Sequence, residues 1–189
     1  PHIPGAPRGP WTFAGTLDRR SAAAAGSRSW VPGPLARADV HRFRSLCDAI
    51  RVGTGTVIAD DPALTVRRPD GTACRRQPLR AVMGLRPIPE SSQVLDLAAP
   101  MLKLVTHDPS EALKILHERE IHHVWLEGGP TVAAAFLEAG LVDEVLAYLA
   151  PALLGRGSAA VGDLGIQTID QALRLPSPEV ALLGPALSN

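Results

Sequence analysis

Short apolar runs alternate with amphipathic stretches along most of this chain, and that alternation limits the folds open to it. The spacing predicts a helix over 34–47, a strand over 49–52, strands over 79–83 and 102–106, and a helix over 109–118. A strand over 123–126, a helix over 130–139 and a strand over 142–149 follow. Pro34 suits a first helical position, and Ala36, Val40, Phe43 and Cys47 then recur at helical spacing. Gly140 stops the third helix. Less regular stretches are read as a strand over 11–17, a strand end or loop over 21–26 and a loop over 69–78. A loop over 155–158, a short helix over 168–173 and a last strand over 180–183 complete the reading, with 1–9 expected to be poorly ordered. Strands that alternate with helices imply an α/β fold. Its expected form is a mostly parallel, twisted central sheet with helices on both faces, binding ligands beyond the carboxyl ends of its strands.

Composition narrows the functions. The 189 residues suit a single domain, and an apolar fraction of 46% excludes a disordered chain. A formal charge of zero argues against non-specific nucleic-acid binding, and no apolar run reaches membrane-spanning length. Cys47 and Cys74 have no metal-ligand spacing, so a reducing cytoplasm is expected. The histidines at 41, 107, 117, 122 and 123 are scattered, and no metal site is expected. No Gly-x-Ser-x-Gly elbow supports serine hydrolysis.

Two motifs carry chemistry. The first runs from Gly53-Thr54-Gly55-Thr56 through Asp60-Asp61-Pro62 to Arg67. A Gly-x-Gly turn, a hydroxyl, an acid and a guanidinium suit a phosphorylated, hydroxyl-rich ligand. Asp61, just before Pro62, reads as a cap or turn residue, and Asp60 as the ligand contact. The second motif is Leu126-Glu127-Gly128-Gly129-Pro130-Thr131, a strand, a Gly-Gly turn and a helix start. Orphan N–H groups there attract anions, and glycines let a pyrophosphate come close. An ordinary tight connection also favours Gly and Pro. Arg44 and Arg67 are candidate phosphate grips, weighed against plain surface arginines, since nearly every basic residue is Arg. The third glycine and distal acid of a Rossmann fingerprint are missing.

These residues resemble the reductase domain of the bifunctional riboflavin-biosynthesis deaminase/reductase, a relative of dihydrofolate reductase in fold. The resemblance rests on Thr16-Leu17-Asp18, on Trp30-Val31-x-x-Pro34-x-Ala36-Arg37-x-Asp39-Val40, and on Ala59-Asp60-Asp61-Pro62-Ala63-Leu64-Thr65-Val66-Arg67. Glu127-Gly128-Gly129-Pro130-Thr131, Ala139-Gly140-Leu141-Val142-Asp143-Glu144 and Ala150-Pro151-Ala152-Leu153-Leu154-Gly155 extend it over about residues 10–165. It implies NADPH-dependent reduction of the ribosyl group of 5-amino-6-(5-phosphoribosylamino)uracil to a ribityl chain, in a cytoplasmic homodimer. It places Ala14, Trp30, Thr56 and Asp60, and the stretch Gly129, Pro130, Thr131, Val132, Ala133, Ala134 and Ala135, at cofactor positions. Arg44, Leu64, Arg67 and Glu127 fall at substrate positions, and Asp60 and Glu127 are the catalytic candidates. The sequence departs from the family pattern at Thr12, where Lys is usual, and at Arg19, where Gly is usual. It departs also at Arg28, where Ser is usual, and at Leu85, a polar position. The paired deaminase signatures are absent, so the reductase half alone is expected. The departures leave open a reductase of another heterocycle, or a degenerate domain that binds nucleotide or dimerises without turnover.

Overall fold

The computed structural model describes residues 7–23, 33–175 and 178–184. Trp30, Arg28 and residues 1–6 lie outside the described residues. Strand β1 (Pro10–Thr16) leads to β2 (Arg20–Ala23), then α1 (Pro34–Leu46), β3 (Ala49–Gly53) and α2 (Thr54–Asp60). β4 (Leu79–Met83), β5 (Met101–Leu104), α3 (Pro109–His117), β6 (Val124–Glu127), α4 (Pro130–Glu138), β7 (Glu144–Ala150) and β8 (Gly157–Ala159) follow. Six strands form one sheet in the order β5-β4-β3-β6-β1-β7, every neighbouring pair parallel. β2 and β8 pair antiparallel as a separate ribbon.

Both faces of the sheet are covered. Alternate residues of β3 explain how. Ala49 joins Ala112, Leu113 and Leu116 of α3 and Ala133 and Phe136 of α4 in one core. Ile50 and Val52 join Ala36 and Val40 of α1 and Val57 of α2 in the other. All five residues of β3 are buried, as a central parallel strand requires.

The expected α/β sheet is therefore present, with differences in detail. Residues 54–60 form helix α2 instead of continuing an open turn. Gly53 ends β3, and a Cβ there would lie 2.9 Å from Val132 of α4. That glycine serves helix–sheet packing. Asp61 closes α2 with φ of 41°, in the capping role read from the sequence, and accepts the Gln93 N–H at 2.8 Å. The 155–158 loop contains the start of β8. The expected helix over 168–173 is a single 3-10 turn, Ile169–Gln171, and 180–183 is not a strand. Arg8 bridges in parallel to His123, so pairing starts ahead of β1.

Two arginines are completely buried inside this frame. Arg80 donates to the Asp96 carboxylate at 2.8 Å and to the carbonyls of Gln93, Asp96 and Ala99, tying down the segment between β4 and β5. Arg51 has no such shell. Its guanidinium lies 4.2 Å from the centre of the Phe136 ring and donates to Met83 Sδ, while its Nε and Nη1 have no partner. Burial pushes its pKa down to about 9.

Candidate active site

A cleft of about 170 Å³ opens at the carboxyl end of β6, walled by β1, β7, α1 and α2. Ala14, Arg44, Thr56, Asp60, Glu127 and Gly129 all line it, so the two sequence motifs converge on one space. α2 carries Thr56 and Asp60 there, and the β6–α4 junction carries Glu127 and Gly129.

Glu127 is the hub. Its two oxygens accept Arg44 Nε and Nη2, each at 2.6 Å, in a bidentate fork. The buried indole of Trp125 adds its Nε1–H to the same carboxylate at 2.5 Å, and the ring stacks on Phe43. Arg44 Nη1 also donates to the Thr65 carbonyl at 3.2 Å. Arg44 is thus neither a solvated surface arginine nor an open phosphate fork. Three of its five N–H groups are committed and two remain.

The Thr65 segment hangs from this pair. Leu64 has φ of 49° and its side chain is buried in the core, so only its backbone is available to a ligand. Arg67 is exposed, and its Nε donates to Thr65 Oγ1 at 3.3 Å. Its backbone N–H donates to His41 Nδ1 at 3.3 Å. Burial, followed by the Arg44 charge, holds the His41 pKa below its usual value and keeps the ring neutral for that bond. Leu64 and Arg67 do not line the cleft itself.

The cofactor stretch divides in two. Pro130–Glu138 is helix α4, in which Ala133 and Ala134 bury their methyls in the core. Val132 packs against Gly53 and Gly128. Thr131 is exposed in the first turn, and Ala135 is half-buried. Only the beginning of the stretch faces open space. No side chain caps α4, and a Cβ on Gly129 would meet nothing within 4 Å. The fold therefore makes no packing demand for glycine at 129. An uncapped helix start with room above it fits the phosphates of a dinucleotide.

Tyr148 is a lining residue that sequence reasoning missed. Its hydroxyl donates to Asp39 of α1 at 2.9 Å, and burial followed by that carboxylate pushes its pKa up. A tyrosine inside an apolar strand gives no sequence signal of this kind.

The departures from the family pattern also take physical form. Thr12 lines the cleft and donates to the Leu146 carbonyl at 3.2 Å. Asp18 accepts the backbone N–H groups of Leu154 and Gly155, the latter at 2.6 Å, and the Thr16 hydroxyl. The Thr-Leu-Asp motif thus ties the end of β1 to the chain beyond β7. Arg19 follows in left-handed backbone, φ of 58°, where a glycine is less strained.

The family model described as RibD C-terminal domain matches residues 8–185. The riboflavin biosynthesis protein RibD of Mycobacterium tuberculosis is 49% identical over 183 residues, covering 97% of this chain and 53% of that protein. Its counterpart from Corynebacterium ammoniagenes is 43% identical over 150 residues, 77% of this chain and 43% of that one. Among solved structures, Acinetobacter baumannii RibD superimposes with a TM-score of 0.82 at 30% identity, covering 95% of this chain and 56% of that one. A Thermotoga maritima diaminohydroxyphosphoribosylaminopyrimidine deaminase/5-amino-6-(5-phosphoribosylamino)uracil reductase gives 0.73 at 26% identity, covering 86% and 51%. The chain spans about half the length of these relatives.

Proposed function

The chain belongs to the RibD C-terminal domain family, and from that premise we propose that it is an NADPH-dependent reductase of 5-amino-6-(5-phosphoribosylamino)uracil. The observation that carries the reading is the uncapped start of α4, with open space over Gly129, in the same cleft as Asp60 and the Glu127–Arg44 pair. NADPH supplies the hydride that converts the ribosyl carbon C1 to a ribityl carbon.

The chain's own groups then take separate tasks. The first turn of α4, with Gly129, Pro130 and Thr131, holds cofactor phosphates. Ala14, Thr56 and Asp60 line the cofactor's side of the cleft. Asp60, a carboxylate on the cleft wall, handles the proton that sugar-ring opening and reduction require. Glu127 is fully engaged by Arg44 and Trp125, so it orients more than it transfers. It fixes Arg44 so that the two remaining N–H groups face the substrate. Arg67, beside Leu64 and Thr65, supplies a second positive charge for the substrate phosphate. The working form is a cytoplasmic homodimer, which light scattering on a sizing column tests.

Two assays test the chemistry. NADPH titrated against the fluorescence of the three tryptophans reads cofactor binding. Loss of nicotinamide absorbance on adding the ribosylamino-pyrimidine reads turnover. Binding without turnover removes the reductase assignment, and no binding removes the cofactor site as well.

A further inference from the structure

Helix α1 walls the cleft, and two polar ties on different strands hold it there. Val40 and Arg44, one turn apart, are its lining residues. The first tie is the fork from Arg44 to Glu127 of β6. The second is the Tyr148 hydroxyl of β7, which donates to Asp39 Oδ2 at 2.9 Å. Asp39 is held ready for it, because Arg42 Nε of the same helix donates to Oδ1 at 2.9 Å. β1 lies between β6 and β7 in the sheet, so the two ties straddle it. Thr12 and Ala14 of β1 line the cleft between them, Thr12 in register with Glu127 and Ala14 with Tyr148.

The two ties are unequal. The fork is charged on both sides and doubly bonded. The second is a single hydrogen bond to a strand at the edge of the sheet, since β7 pairs with β1 alone. No side chain caps the amino end of α1 at Gly33. Ala36 and Val40 pack in the core there, but apolar contact is non-directional and fixes no exact spacing.

We infer that Tyr148, acting through Asp39, is a positioning residue that sets how closely α1 approaches the substrate's half of the cleft. The inference rests on the reaction proposed above. Without the tie α1 samples withdrawn positions, and the substrate must select the close one. That lowers apparent affinity by the fraction of the close form. Once substrate is bound the helix is in place, and the chemical step changes little. α2 and the start of α4, which hold the cofactor in that reading, carry neither member of the tie.

Steady-state kinetics test the role. Tyr148→Phe keeps the ring in the core and removes only the hydroxyl. It is expected to raise KM for the ribosylamino-pyrimidine about 10-fold, with kcat and NADPH affinity within about twofold. Asp39→Ala is expected to match it, and the double variant to be no worse than either single one. Asp39→Asn keeps an accepting oxygen and is expected to restore most of the affinity. Tyr148 is the chain's one tyrosine, so its Raman doublet reads the hydroxyl directly. Asp39→Ala should move that doublet away from the strong-donor pattern, and no movement overturns the tie. An unchanged KM in Tyr148→Phe, a fall in kcat in its place, or single effects that add in the double variant overturn the positioning role and spare the reductase reading. No turnover by the unsubstituted protein overturns both.

Discussion

Arg44 and Arg51 are both buried, on opposite faces of one sheet, and their surroundings differ completely. Arg44 meets both oxygens of Glu127 and a backbone carbonyl. Arg51 meets a sulfur and an aromatic face, with two nitrogens left without partners. Arg44 sits beside the cleft, where a carboxylate at a strand end is within reach. Arg51 sits under α4, where the neighbours are apolar. The contrast shows that burial of a charge is not itself a sign of function. Complementary geometry at the rim is the better sign.

The strongest way to break the comparison is Glu127→Gln. It leaves Arg44 buried without a counter-charge, and a stability loss of about 3 kcal/mol is expected in urea denaturation, together with loss of activity. The bidentate fork to Arg44 makes this carboxylate part of the fold as well as of the site. An unchanged urea midpoint would show that the pair adds nothing to the fold.

Arg51→Met acts in the opposite direction. A methionine fills the same channel without an unsatisfied charge, and a gain of about 2 kcal/mol is expected, read as a rise in melting temperature. A fall would mean that Arg51 is better satisfied than its protein contacts indicate.

Trp125→Phe sharpens the first half of the contrast. The ring keeps its stack on Phe43 while Glu127 loses one donor. A cost of about 1 kcal/mol is expected, with a higher KM for the substrate and a smaller change in kcat.

The smallest effect is a pH dependence at His41. Its folded pKa is lowered, so as pH falls below about 6.5 the unfolded chain takes up the proton first. Stability is full above that value and declines as pH drops toward the folded pKa. Urea midpoints measured across this interval should show the decline, and His41→Gln should flatten it.

The sequence makes the parallel frame legible because β3, α1 and α4 have clear periodicities and end signals. It does not reveal α2, because seven residues opening Thr54-Gly55-Thr56 resemble a turn more than a helix. The β2–β8 ribbon is equally hidden, since its halves are far apart in sequence and join through no hairpin turn. At the site, Asp60, Glu127 and Gly129 stand at element junctions, where a polar or flexible residue is conspicuous. Trp125, Tyr148 and Arg51 lie inside strands, where burial conceals what their polar atoms meet.

One consequence follows from the strands of the main sheet all running the same way. Their amino ends form a second margin, where the Asp48 carboxylate collects the amides of His122 and His123 and the side chain of Arg76. That margin is remote from the chemistry by construction. It is the natural place to attach a label or a tether, because alterations there change neither the shape nor the charge of the opposite end.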